Sequence, residues 1–119
     1  MKLLTLLAIA ALPAAALAQG GHSGHSKPGA AQDTPATQAY RAANAKMHKE
    51  MDLTFSNDAD VDFVRAMIPH HRGAIDMARV ALQHGRDEQT RKWASDVIRE
   101  QEREIAEMQA WLQKRGIRP

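Results

Sequence analysis

Apolar residues recur at spacings of three and four in three blocks between residues 35 and 115, and two short polar turns separate the blocks. In the first block Tyr40, Ala43, Met47 and Met51 form a stripe, with Asn44 and His48 at its flank and Arg41, Lys49 and Glu50 outside it. Thr34 stands where an N-cap belongs and Pro35 at the first helical position, a favoured start. The pattern predicts a helix from there to about Asp52. A second helix begins near Ser56 to Asp58, after the turn LTFSND. Its first turns carry Asp58, Asp60 and Asp62, where carboxylates favour the helix dipole. It ends at His84, with Gly85 at the usual C-cap position. A third runs from about Asp87 to Arg115 and stops at Gly116. Its residues Ala94, Val97, Ile98, Ile105, Met108 and Leu112 keep helical spacing. No alternation of period two competes, so the fold class is all-α, with three main helices.

The second block contains an anomaly, AMIPHHRGAIDMA at residues 66–78. A proline and two adjacent histidines sit where aliphatic packing is expected. At about 100° per residue, Arg65, Arg72, Asp76, Arg79 and Gln83 gather on one side of the helix. Phe63, Val64, Met67, Ile68, Ala74, Ile75, Met77, Ala78, Ala81 and Leu82 gather on the other, and Val80 falls near the polar edge. His70 and His71 both fall within the wide apolar half, straddling Met67, and Met77 follows His70 by one heptad. Arg72 and Asp76 are spaced as a solvated i, i+4 ion pair. Pro69 removes one helical hydrogen bond and reads equally as a kink that re-aims the neighbouring side chains or as an ordinary bend.

A methionine taken alone is an ordinary core filler, and a lone buried histidine is usually satisfied by one hydrogen bond. Together the residues read differently. Met67, His70, His71 and Met77 share a face, and the first helix offers Met47, His48 and Met51 in the segment MHKEM. Two neutral imidazoles in an apolar seam need partners for every ring nitrogen, or desolvation costs about 1–3 kcal/mol for each one left unpaired. A metal is one such partner. Thioethers and imidazoles without thiolate or carboxylate form a soft set that selects Cu(I), and by extension Ag(I), over Mg, Ca or Mn. Structural zinc asks for cysteines and the chain has none; H-E-x-x-H is absent, as is the E-x-x-H of di-iron bundles. In the third helix Gln101 falls between Ile98 and Ile105, placed to back a metal-bound ring or to hydrogen-bond at the seam edge. Trp93 and Trp111 are read as covering the core.

The compartment supports this chemistry. The chain opens MKLLTLLAIAALPAAALAQG, with Lys2, an apolar run from Leu3 to Leu12 and an Ala16-Leu17-Ala18 cleavage site. This is a secretory signal peptide pattern over residues 1–18, too short for a membrane span and interrupted by Pro13. Export to a periplasm or to the exterior is the expectation, with no membrane association after cleavage. Residues 19–34 are Gly, Ser, Ala, Pro and His with few bulky apolar side chains, a flexible tether leading to a helical domain over 35–119. The tether carries His22 and His25, a secondary candidate for metal capture. With no cysteine, stability comes from helix packing, metal or oligomerisation rather than disulfides. Sixteen basic against fourteen acidic residues give a net charge of +2, which supplies no basic patch and no case for nucleic acid.

The segment FVRAMIPHHRGAIDMA, Phe63 to Ala78, resembles the M-x-x-H-H-x-x-A-x-x-M-A core of the DUF305 family, which includes exported copper-binding proteins. DVIREQEREIAEMQAWL, Asp96 to Leu112, is similar to that family's closing helix. With KMHKEM the likeness covers most of the chain beyond the leader. It implies a ferritin-like antiparallel helical bundle and a role in copper or silver handling outside the cytoplasm. By position it implies Met67, His70, His71 and Met77 as ligands, followed by Met47, Met51 and Met108. A ferritin-like bundle has four helices and only three are counted here. The domain is therefore either a three-helix version or one completed by a second copy, and the wide apolar face of the second helix favours a homodimer.

The expectation is thus a Cu(I)-binding protein that sequesters copper or passes it to a donor or acceptor protein, through Met67, His70, His71 and Met77 with Met47, His48 and Met51 adjacent. Two other classes stay open. One is a small copper-dependent oxidoreductase, with His48 or His71 moving protons. The other is a metal-free module whose Met/His face binds a partner helix.

Overall fold

A computed structural model of the protein describes residues 31–118. The expected leader and the tether as far as residue 30, His22 and His25 included, lie outside the described residues. The described chain is three α-helices, α1 (Pro35–Glu50), α2 (Ala59–His84) and α3 (Glu88–Gln113). α1 starts at the residue the sequence indicates, and α2 and α3 start, with their N-caps, within the expected stretches, near Ser56 to Asp58 and at about Asp87. Thr34 Oγ1 accepts the Thr37 N–H at 3.1 Å, Asp58 Oδ1 accepts from Asp60 and Val61, and Asp87 Oδ1 accepts the Thr90 N–H at 2.7 Å. These side chains satisfy N–H groups that have no partner inside the helix. Before α2, Asn57 takes a left-handed φ of 69°, which asparagine tolerates better than most residues. Ser56 donates both its N–H and its hydroxyl to Asp62, locking that turn.

α1 and α3 end two residues earlier than the pattern suggests. Past Gln113 the backbone turns at Gly116, whose φ of 68° suits a residue without Cβ. Ile117 folds back to donate its N–H to the Leu112 carbonyl. At the other end of α3, the Arg91 guanidinium donates to the carbonyls of Leu82 and Gly85, closing the end of α2.

α2 is the central element. It packs against α1 on one side and α3 on the other, and no α1 Cα lies within 8 Å of an α3 Cα. Against α3 the core is Val61, Val64, Ile68 and the fully buried Leu112, backed by Ile105, Met108, Trp111 and Ile117. Against α1 the packed residues are small. Gly73 is buried because the Met47 side chain lies directly on it, so that a Cβ at Gly73 would stand 2.6 Å from Met47 Cγ. Lys46 ties the same pair of helices through Asp76 at 2.6 Å, and this bond raises the Lys46 pKa. Asp76 also takes Arg79, so the expected Arg72–Asp76 pair is replaced by a link between helices and an i, i+3 contact. α2 continues through Pro69, which is buried, and Pro69 faces the groove by Leu53 and Glu50, away from the histidines. Trp111 covers the core as expected and is itself covered by the Arg115 guanidinium, 3.6 Å from its ring centroid. Trp93 corrects the expectation, being 61% exposed.

Glycine to alanine inside a helix ordinarily stabilises by about 1 kcal/mol. At Gly73 the sign should reverse, because Met47 Cβ itself stands 2.9 Å from the added methyl and a new Met47 rotamer does not relieve the overlap. Gly73→Ala is expected to lower the thermal midpoint and Met47→Ala to restore part of it, as read by circular dichroism. Acid should also open the helix starts. The Thr90 N–H holds the Asp87 carboxyl below its ordinary 3.8, and the Ser56 N–H does the same for Asp62. A depressed carboxyl contributes stability that is complete above 3.8 and is lost as pH falls through the lower folded value. Asp87→Asn keeps a capping side chain that does not titrate, so its acid unfolding should begin at lower pH than in the parent.

Candidate metal centre

Burial along α2 separates the motif residues. Val61, Val64 and Ile68 pack against Leu112 of α3, while Gly73 lies under Met47 of α1; at about 100° per residue the buried Ile75 and Ala78 fall on the first flank and Pro69 and Val80 on the second. Between these two flanks runs a strip that α1 and α3 cover only in part. It holds Phe63, Met67, His70, Ala74, Met77 and Ala81, with Phe63, His70 and Met77 exposed. The apolar half read from the sequence is therefore two different surfaces, one packed and one open. His70 and Met77 belong to the open one, whereas the axial layout alone assigns both to the buried half.

His71 lies at the border, beside α3, with its side chain 15% exposed. Its Nε2 stands 2.7 Å from Glu104 Oε2. A carboxylate only accepts, so Nε2 carries the proton and donates it to Glu104. The other Glu104 oxygen is 3.6 Å from Arg103, which is bonded in turn to Glu107 and Glu100. His71 Nδ1 is buried and has no hydrogen-bond partner. Protonating Nε2 leaves Nδ1 of the neutral ring with a free lone pair, and an unpaired polar atom in that position costs about 1–3 kcal/mol. Phe63, Met67, His71, Glu104, Glu107 and Met108 line one groove of about 370 Å³. Two thioethers thus share a recess with an imidazole whose free nitrogen lacks a partner. His70 stands next to it, with ring centroids 6.1 Å apart and planes at 61°.

The eight residues expected from the sequence therefore fall into separate sets. Met67, His71 and Met108 come together at the α3 groove, with His70 adjoining. Met47 sits on Gly73, one turn from both His70 and Met77, on the α1 side. His48 is exposed and Met51 is the C-cap residue of α1; neither lines the groove. The residue missed is Glu104. The spacing offers Gln101 either to back an imidazole or to hydrogen-bond at the seam edge, and the carboxylate that meets His71 lies three positions on. The signal was available as the antiparallel pairing of α2 with α3, which brings 71 opposite 104, but helical spacing does not yield that register. Among the described residues no three His, Cys, Asp or Glu side chains cluster as they would around a metal ion.

The orphaned Nδ1 and the two thioethers would suit a soft metal ion, with His71 binding through Nδ1 while its Nε2 stays bonded to Glu104. Carboxylate support of this kind fixes tautomer and orientation in metal-ligating histidines. In nitrogen-correlated NMR at mildly alkaline pH, His71 is expected as a single Nε2–H tautomer. Glu104→Ala should give a mixture of tautomers without loss of helicity, and a mixture in the parent chain would remove Glu104 from this role.

Residues 10–112 match the family described as Domain of unknown function (DUF305), a stretch that contains α1, α2 and nearly all of α3. The chain belongs to that family. It is also 34% identical over 58 residues to an uncharacterized protein of Acanthamoeba polyphaga mimivirus, a similarity covering 49% of this chain and 38% of the relative. The chain thus spans well under half the length of that relative.

Proposed function

We propose that this DUF305 member is an exported Cu(I)-binding protein that holds copper, or Ag(I), for sequestration or transfer, with His71, Met67 and Met108 at the α3 groove and His70 beside them. The observation that carries the reading is His71. One ring nitrogen is committed to Glu104 and the other is buried without a partner, in a groove that two methionines line. Packing alone explains each methionine, and Met108 does pack against the core cluster. Packing does not explain an imidazole left with an unsatisfied nitrogen beside them.

The donor set also selects the metal. Neutral thioether and imidazole suit Cu(I), while Mg and Ca require oxygens and structural zinc prefers thiolates. Thioethers need no deprotonation, so loading and release proceed at any pH that leaves the imidazoles neutral. Export rests on the leader pattern at the N-terminus, and it would place the site where methionine, unlike cysteine, is lost to no disulfide.

Anaerobic Cu(I) competition titration tests the proposal. His70→Ala/His71→Ala is expected to abolish tight binding, and Met67→Ala and Met108→Ala each to weaken it. Glu104→Gln should cost about 10–100-fold in affinity, as loss of a group supporting a ligand does. Unchanged stoichiometry and affinity in the double histidine variant would end the copper reading.

A further inference from the structure

The open strip of α2 has a pattern that α1 and α3 do not use. Phe63, Met67, His70, Ala74, Met77 and Ala81 follow one another at alternating steps of four and three, the spacing of a coiled-coil seam. The set is also symmetric about the level of Arg72. Phe63 mirrors Ala81, Met67 mirrors Met77, and His70 mirrors Ala74. In an antiparallel pair of identical helices centred there, each large side chain faces a small one, and the two methionines face each other.

The surroundings of the strip agree with that pairing. Phe63, at one end, is 62% exposed. At the other end lies a trough of about 340 Å³ with almost wholly apolar walls, lined among others by Tyr40, Met77, Ala81, Trp93 and Val97. Trp93 on its rim is 61% exposed. On α2 the trough runs from Ala74 to Ala81 and so includes Ala81, the position that mirrors Phe63. A two-fold axis at the level of Arg72 seats each copy's Phe63 in the other's trough, because a two-fold interface is self-complementary by construction.

The same pairing would bring a further thioether to the groove. Met67 and Met77 are ten residues apart on one continuous helix, about 15 Å along its axis, so one chain cannot close both thioethers on one ion. In the antiparallel pair, Met77 of the second copy lies opposite Met67, between His70 and His71 of the first.

We propose that the protein is a two-fold homodimer joined by antiparallel contact of the two α2 helices at the level of Arg72, and that each copy's Met77 completes the other's Met67/histidine site. The pairing stands on the strip and the trough; the shared ligand rests in addition on the copper reading above.

Cysteine cross-linking tests the register, since the chain has no cysteine of its own. Phe63→Cys/Ala81→Cys, expressed from the full sequence and oxidised without metal, is expected to run as a covalent dimer on a non-reducing gel. Within one chain these positions are 18 residues apart, about 27 Å, far beyond disulfide reach. Phe63→Cys alone and Ala81→Cys alone should stay uncrosslinked. Absence of cross-linking in the double variant, or equal cross-linking in the single ones, overturns the pairing. Light scattering of the unaltered metal-free chain should give the mass of two chains, and Ala74→Glu the mass of one with helicity retained; a monomeric parent overturns the proposal. Met77→Ala should keep the dimer and lose Cu(I) affinity, and undiminished affinity in that dimer overturns the shared ligand. A dimer that takes up no Cu(I) overturns the copper reading and the shared ligand with it, and leaves the pairing established.

Discussion

No α1 Cα comes within 8 Å of an α3 Cα, and each of the two helices packs on α2. α2 therefore has to present two packing surfaces at once, and a helix flanked on two sides keeps a third side free. The two packed surfaces differ in kind. Towards α3, Val61, Val64 and Ile68 close on Leu112 as an ordinary aliphatic core. Towards α1 the contact is made by approach rather than bulk, since Gly73 lets the Met47 side chain rest on the backbone of α2. What remains is the strip from Phe63 to Ala81, and most of the chain's unusual chemistry lies along it or at its edge. The ion pairs stand outside this scheme. Asp96, Arg99, Glu100 and Arg103 form an exposed ladder along α3, of the sort that adds solubility more than stability.

His71 marks where packing and chemistry meet. It lies where α3 begins to cover α2, deep enough that its Nδ1 is sealed from water and shallow enough that Glu104 reaches its Nε2. Burial makes the unpaired nitrogen costly, and the carboxylate determines which nitrogen is unpaired. The neighbouring His70 has neither constraint. Two adjacent residues of one amino-acid type thus have different environments because they point about 100° apart from a helix covered on only part of its circumference. One histidine is held in a defined tautomer at the groove and the other stands on the open strip.

Much of this was legible in the chain itself. The caps at Thr34, Asp58 and Asp87, the three helices and the motif around His70 and His71 all follow from local rules of spacing and hydrogen bonding. What was not legible depends on which helix lies against which. Gln101 has the better apolar register, yet Glu104 meets His71 because the offset between α2 and α3 places it there. Arg72 and Asp76 have suitable spacing, yet Asp76 turns to Lys46 on α1. Trp93 has the composition of a core residue, yet it stands exposed on the rim of the trough that Tyr40, Met77 and Val97 line.

Local patterns along the chain were enough for the all-α class, the approximate helix starts and the residue types available for a soft site, because each depends on contacts within a few positions. Which of those residues share a groove, which histidine nitrogen is left free and which face of α2 stays open follow from how the helices pack. A helical period says that side chains point the same way. It does not say whether anything stands in front of them, and that depends on groups more than thirty residues apart, such as His71 and Glu104.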